Sequence, residues 1–148
     1  MEKIILGEKN NNLKYDFRET CFGIVYKNNE FYLTEKHNEL SLIGGGVEEG
    51  ESHQETLKRE FIEESGLTII ECFNFVTIDC FWYTKDKRNI ESLANFYIVK
   101  VSDEVIEPTE KESKLIKVSR EEIIYKLPLP YQKKAIELYL EKEIETSD

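Results

Sequence analysis

Apolar residues recur in short runs broken by clusters of Asn, Gly, Pro and charge, and the runs predict mostly strands. Lys3 to Leu6 reads as a first edge strand, and Asn10 to Asn12 as a turn. Leu13 to Tyr26 is rich in aromatic and β-branched residues and predicts one or two strands. Lys27-Asn28-Asn29-Glu30 makes a hairpin turn before the strand Phe31 to Thr34, and Asn38 and Glu39 begin a loop leading through Leu40 to Ile43 into a glycine turn. One helical stretch, His53 to Ser65, interrupts this pattern. Further β segments follow at Leu67 to Val76 and Thr77 to Tyr83, then, past the charged turn Thr84 to Arg88, at Leu93 to Val101. Asp103 to Glu112 reads as an acidic loop and Lys114 to Val118 as the last strand. Ser119 is placed to cap a short helix with Glu122 in the capping-box position. After Pro128 and Pro130, Tyr131 to Ile144 is a closing helix with Ala135, Leu138 and Tyr139 inward, and the tail Glu145 to Asp148 is expected to fray. Strands on both sides of one helix, then a terminal helix, point to a mixed β-sheet between helices.

The middle helix carries the chemistry. Ser52 followed by Glu55 is a capping box, and Gly66 stands where a left-handed residue ends a helix. With Glu60 at 0°, Glu64 falls at about +40° and Glu63 at about −60°, so three carboxylates share a sector of roughly 100°. Leu57 and Phe61, at about +60° and +100°, form the core contact, while Arg59, at about −100°, borders the other side. Like charges three and four apart repel, and Glu63 and Glu64 lie in the last turn, where the helix dipole disfavours anions. A positive partner is therefore expected on this face. An oxygen-only donor set suits a hard cation such as Mg²⁺, which makes phosphate esters the natural substrate class.

Composition narrows the field. Thirty acidic against twenty basic residues give a net charge of −10, which argues against duplex nucleic acid as a partner but not against a small nucleotide. Forty per cent apolar and 34% charged residues over 148 positions fit one globular domain, residues 1–148. No apolar run approaches the ~20 residues that span a bilayer, and the first residues are too weakly apolar for a signal peptide, so a cytoplasmic protein is expected. The three cysteines, Cys21, Cys72 and Cys80, lack metal-ligand spacing and read as reduced core residues.

The stretch Gly45 to Leu67 resembles the signature of the Nudix (MutT-like) hydrolases. Gly45, Glu51, Arg59, Glu60, Phe61, Glu63, Glu64, Gly66 and Leu67 stand at the family's spacings. Phe61 is bulkier than the usual aliphatic residue, and Ile43 stands where a proline often precedes the glycines. The resemblance implies an α/β/α sandwich and a Mg²⁺-dependent enzyme, with Mn²⁺ as a substitute. Its expected reaction is water attack on a nucleoside diphosphate linked to another group. It further implies Glu60, Glu63, Glu64 and the Gly44 carbonyl as metal ligands, Glu60 or Glu64 as proton acceptor, and Arg59 as the residue holding the glutamates in register. Glu51 could be ligand, orienter or N-terminal helix charge. A distal glutamate serves as base in some members, which makes Glu110 and Glu112 candidates here. Trp82 and Tyr83, in the aromatic run Phe81-Trp82-Tyr83, are candidates for stacking on a base, and Arg18 and Lys36 for contacting phosphate. Two other readings share the fold. One is a nucleotide-sensing module that does not cleave. The other is an isoprenoid-diphosphate isomerase, which would need a catalytic thiol such as Cys80. The oligomeric state stays open.

Overall fold

The computed structural model describes residues 2–146. Eight strands form one mixed sheet: β1 (Glu2–Leu6), β2 (Asp16–Ile24), β3 (Tyr26–Lys27), β4 (Glu30–Lys36), β5 (Glu39–Gly46), β6 (Leu67–Tyr83), β7 (Asn89–Val105) and β8 (Ser113–Ser119). Helix α1 (His53–Ser65) follows β5, and the short α2 (Ile123–Lys126) and long α3 (Pro130–Thr146) end the chain. The strands lie in the order β1-β6-β7-β2-β5-β4-β3, with β8 on β4. The β1/β6 and β2/β7 pairs are parallel and the others antiparallel.

Alternation along the central strands divides the core in two. On β2, Cys21 faces one cluster and Phe22 the other; on β7, Tyr97, Val99 and Val101 oppose Ala94 and Phe96. Leu57 and Phe61 of α1 complete the first cluster, while Ile123 of α2, Leu127 just after it, and Tyr131, Ala135, Ile136 and Tyr139 of α3 complete the second. The sheet is thus sandwiched between helices, as expected. Gly23 explains how Phe61 fits: a Cβ there would come within 2.5 Å of the Phe61 ring, so the missing side chain makes room for the larger one.

Several boundaries differ from the sequence expectations. Gly44, Gly45 and Gly46 are not a turn. They end strand β5, whose first half pairs with β4 and whose glycine half pairs with β2, so cross-strand hydrogen bonding fixes them as extended chain. The turn before β5 is His37-Asn38, both at positive φ, and the hairpin turn Asn28-Asn29 has the same character. The two β segments after α1 are one seventeen-residue strand, β6, kept continuous through register shifts against the equally long β7. That length shortens the acidic loop to 106–112. Ser119 does not cap α2 through its hydroxyl: the helix begins later, with Glu122 at the N-cap and no side-chain bond there. In α3, Tyr131, Gln132 and Ile136 join Ala135 and Tyr139 inside, while Leu138 is half-buried. Of the tail expected to fray, residues 147–148 lie outside those described and Glu145 and Thr146 belong to α3.

Candidate functional site

Helix α1 is built as its sequence requires. Ser52 Oγ accepts from the Glu55 amide at 3.1 Å and Glu55 returns the bond to the Ser52 amide at 3.1 Å. Gly66 ends the helix at φ 71°. Its last-turn carbonyls are satisfied by the loop that follows β7. The Glu110 amide donates to the Glu63 carbonyl at 2.9 Å, the Ser113 hydroxyl to the Glu64 carbonyl at 2.8 Å, and the Ile106 amide to the Gly66 carbonyl at 2.9 Å. These donors offset the charge clash that two glutamates create at this helix end.

Arg59 organises the acidic face. Its Nε and Nη2 grip Glu51 at 2.7 and 2.9 Å, Nη2 also donates to the Gly46 carbonyl at 3.1 Å, and Nη1 reaches Glu60 at 2.8 Å and Glu63 at 3.3 Å. The positive partner expected on this face is thus in part the chain's own arginine. Glu51 accepts in addition from the Glu48 amide at 2.9 Å and the Thr56 hydroxyl at 2.8 Å, so its oxygens are committed to the loop and to Arg59. That geometry fits an orienting role. The Arg59 guanidinium, with those other bonds, holds the Glu51 carboxyl down at about 2, and Glu51 in turn stabilises the charged arginine.

Glu60 and Glu64 lie against the glycine strand. A Cβ on Gly45 would stand 2.6 Å from Glu60 Oε1, so only glycine lets that carboxylate rest there. Glu64 Oε1 accepts from the Gly44 amide at 3.0 Å. Burial pushes Glu64 up to about 8, against the Gly44 hydrogen bond and with help from Glu60 and Glu110. Burial also raises Glu60, even though Arg59 touches it, because desolvation outweighs the pair. Two carboxylates whose charged forms are disfavoured by burial and by each other, Glu60 and Glu64, have the chemistry of a hard-cation site. Among the described residues no three Asp, Glu, His or Cys side chains yet close on a common point, since Arg59 holds Glu60 and Glu63 while Gly44 holds Glu64.

A cleft of about 320 Å³ opens beside Gly44, Gly45 and Glu64, on the α3 side of the sheet. Its floor is the alternating set Arg18, Thr20 and Phe22 of β2, and its walls are Lys36 and His37 at the end of β4 and Tyr131 and Gln132 of α3. Phe22 and Tyr131 stand 6.3 Å apart at a tilt of 38°. Gln132, fully buried, accepts from the Leu42 amide at 2.8 Å and donates to Ser41 at 3.0 Å, which fixes α3 to β5. Arg18 and Lys36, the cations offered by the sequence for contacting phosphate, both line this cleft. Trp82 and Tyr83 do not line it: the Trp82 indole is spent on Ser92 at 2.9 Å and packs behind Tyr131, and Tyr83 is 61% exposed at the far end of β6. The aromatic lining comes instead from Tyr131 in the wall and Phe22 in the floor, which sequence reasoning missed because they lie more than a hundred residues apart. Glu110 is brought to Lys36 at 2.8 Å, whereas Glu112 is exposed. Cys80 is buried in the α3-side core and burial lifts its thiol to about 11, which suits a packing residue.

A Nudix-domain family model matches residues 17–140. The chain belongs to the Nudix family. It is a hydrolase of that family, with an intact Nudix box on α1 and β5. No curated protein matches the chain. Solved Nudix structures share its fold at low identity. A MutT protein from Bacillus halodurans is 22% identical with a TM-score of 0.67, over 81% of this chain and 80% of that one. A Nudix hydrolase from Nitrosomonas europaea is 18% identical with a TM-score of 0.69, over 86% and 90%. A structure described as an ADP compounds hydrolase is 17% identical with a TM-score of 0.66, over 87% and 74%. No helix among the described residues is long and apolar enough to cross a membrane.

Proposed function

We propose that the protein hydrolyses nucleoside diphosphates linked to another group, with Mg²⁺ or Mn²⁺ as cofactor. The observation that carries this reading is the acidic face of α1 set against a glycine strand at the mouth of a cleft that also holds Arg18, Lys36 and an aromatic wall. Glu60, Glu63 and Glu64, with the Gly44 carbonyl, would hold the cation. When bound, it would neutralise charge on the diphosphate and acidify a nearby water.

The rest falls to the chain's own groups. Arg59, anchored by Glu51, fixes the direction of Glu60 and Glu63. Arg18 and Lys36 would draw phosphate oxygens into the cleft, and Tyr131 with Phe22 would flank a planar ring. Glu64, Glu60 or Glu110 would accept the proton of the attacking water, each being a carboxylate of this acidic cluster. A similar protein described as an ADP compounds hydrolase supports the substrate class. The net charge of −10 makes a small ligand a better fit than duplex nucleic acid, and a cytoplasmic site of action accords with that class. The test is a panel of nucleoside triphosphates, nucleotide sugars and dinucleoside polyphosphates assayed with Mg²⁺, Mn²⁺ or EDTA. Release of nucleoside monophosphate with metal alone is expected; equal turnover in EDTA would remove the metal from the account.

A further inference from the structure

Lys36 occupies two environments at once. The residue lines the cleft with Arg18, His37 and Gly45, and its ammonium bonds Glu110 Oε2 at 2.8 Å. The Glu110 backbone is fixed at both its amide and its carbonyl. Its amide is tied to the Glu63 carbonyl at 2.9 Å, and its carbonyl receives the Ser113 amide at 3.2 Å, which pins the loop to α1 and to the start of β8. Lysine, a point charge on a flexible four-carbon stem, is the partner free to move. A diphosphate brings more charge to the cleft than one carboxylate does, and it can accept from the same ammonium.

We propose that Lys36 is held by Glu110 in the resting protein and handed to a phosphate when substrate enters, so that Glu110 is a built-in competitor that sets phosphate affinity. The inference rests on the diphosphate reading of the cleft. In this exchange no covalent bond changes: one ion pair is traded for another, and the Glu110 carboxylate is left unpaired beside the acidic face of α1. A lysine that instead bridged Glu110 and substrate together would make Glu110 an aid to binding, which gives the opposite sign.

The test is a double-mutant cycle read by calorimetric binding of methylene-bridged ADP, whose P–C–P link water does not cleave, in Mg²⁺ buffer. Glu110→Gln is expected to tighten binding about two- to fivefold, the worth of a pair whose two side chains are each about a third exposed. Lys36→Met is expected to weaken it about tenfold or more, as the loss of a charged hydrogen bond. In the Lys36→Met background, Glu110→Gln should change nothing. Weaker binding by Glu110→Gln overturns the exchange in favour of a bridge. Equal tightening in both backgrounds overturns it in favour of a general field effect. If wild type and Glu110→Gln both fail to bind while folded, the proposal falls together with the diphosphate reading; if they bind without coupling, only the exchange falls. Ligand-dependent melting of the same four proteins reads the cycle a second time and reports whether each variant is folded.

Discussion

Replacing Glu64 by glutamine should make the metal-free protein more stable. The Glu64 carboxyl titrates near 4.5 when exposed and at about 8 in the folded chain, because burial penalises its charge. Below pH 4.5 the proton is held in both states and the folded protein bears no penalty. Between those values the unfolded chain releases the proton and the folded chain keeps it, so stability falls by ~1.4 kcal/mol for each pH step. At pH 7 the accumulated loss is about 3 kcal/mol, and it is complete near pH 8. Glutamine does not titrate, has nearly the same shape, and can still accept from the Gly44 amide through its oxygen. In EDTA at pH 7, Glu64→Gln should therefore melt about 6–12 °C above wild type for a chain of this size. The gap should close toward pH 4.5. Thermal melts across pH 4.5–8.5 check this. A variant that melts at or below wild type throughout would refute the burial argument for Glu64. With Mg²⁺ the order should shift, since wild type gains stability from a cation bound to the native state and the variant gains less.

Gly45→Ala should lower the melting temperature only slightly, costing about 1 kcal/mol, because the colliding Glu60 carboxylate is the end of a flexible side chain. It should nonetheless cut kcat or Mg²⁺ affinity by about 10–100-fold, measured by initial rates against metal concentration. Arg59→Lys keeps the charge but not the fork that grips Glu51 and the Gly46 carbonyl, so kcat should fall about 10–100-fold with a lower melting temperature. Tyr131→Ala should raise KM about tenfold through loss of the cleft wall, whereas Tyr83→Ala, away from the cleft, should leave KM unchanged.

What could be read from the sequence was local. Helix α1 was legible to its ends because a capping box and a left-handed glycine are encoded within a few residues of it, and the 3.6-residue period put Leu57 and Phe61 inside and the glutamates together. The glycine run was misread as a turn because its partner, β2, lies over twenty residues away and only pairing reveals it as strand. Ser119 carries a capping signal that the tertiary structure overrides, since β8 continues through it to pair with β4. The cleft was the least legible part. Arg18 showed itself as a stray cation, but Phe22, Tyr131 and Gln132 converge only after two β-strands and a terminal helix have packed. Ser113 supplies a hydroxyl to the end of α1 from forty-nine residues away, a contact that no local pattern encodes.

The proposed function requires water to attack a diphosphate phosphorus at the acidic face of α1, aided by a divalent cation. The most direct measurement is hydrolysis of the best substrate from the panel in ¹⁸O-labelled water, with Mg²⁺ or with EDTA, for wild type and Glu64→Gln, with products read by mass spectrometry. One labelled oxygen should appear in one of the two phosphoryl products, with metal only, and its rate of appearance should drop at least tenfold in Glu64→Gln. Label arriving equally fast in EDTA, or equally fast in the variant at saturating Mg²⁺, would contradict the account.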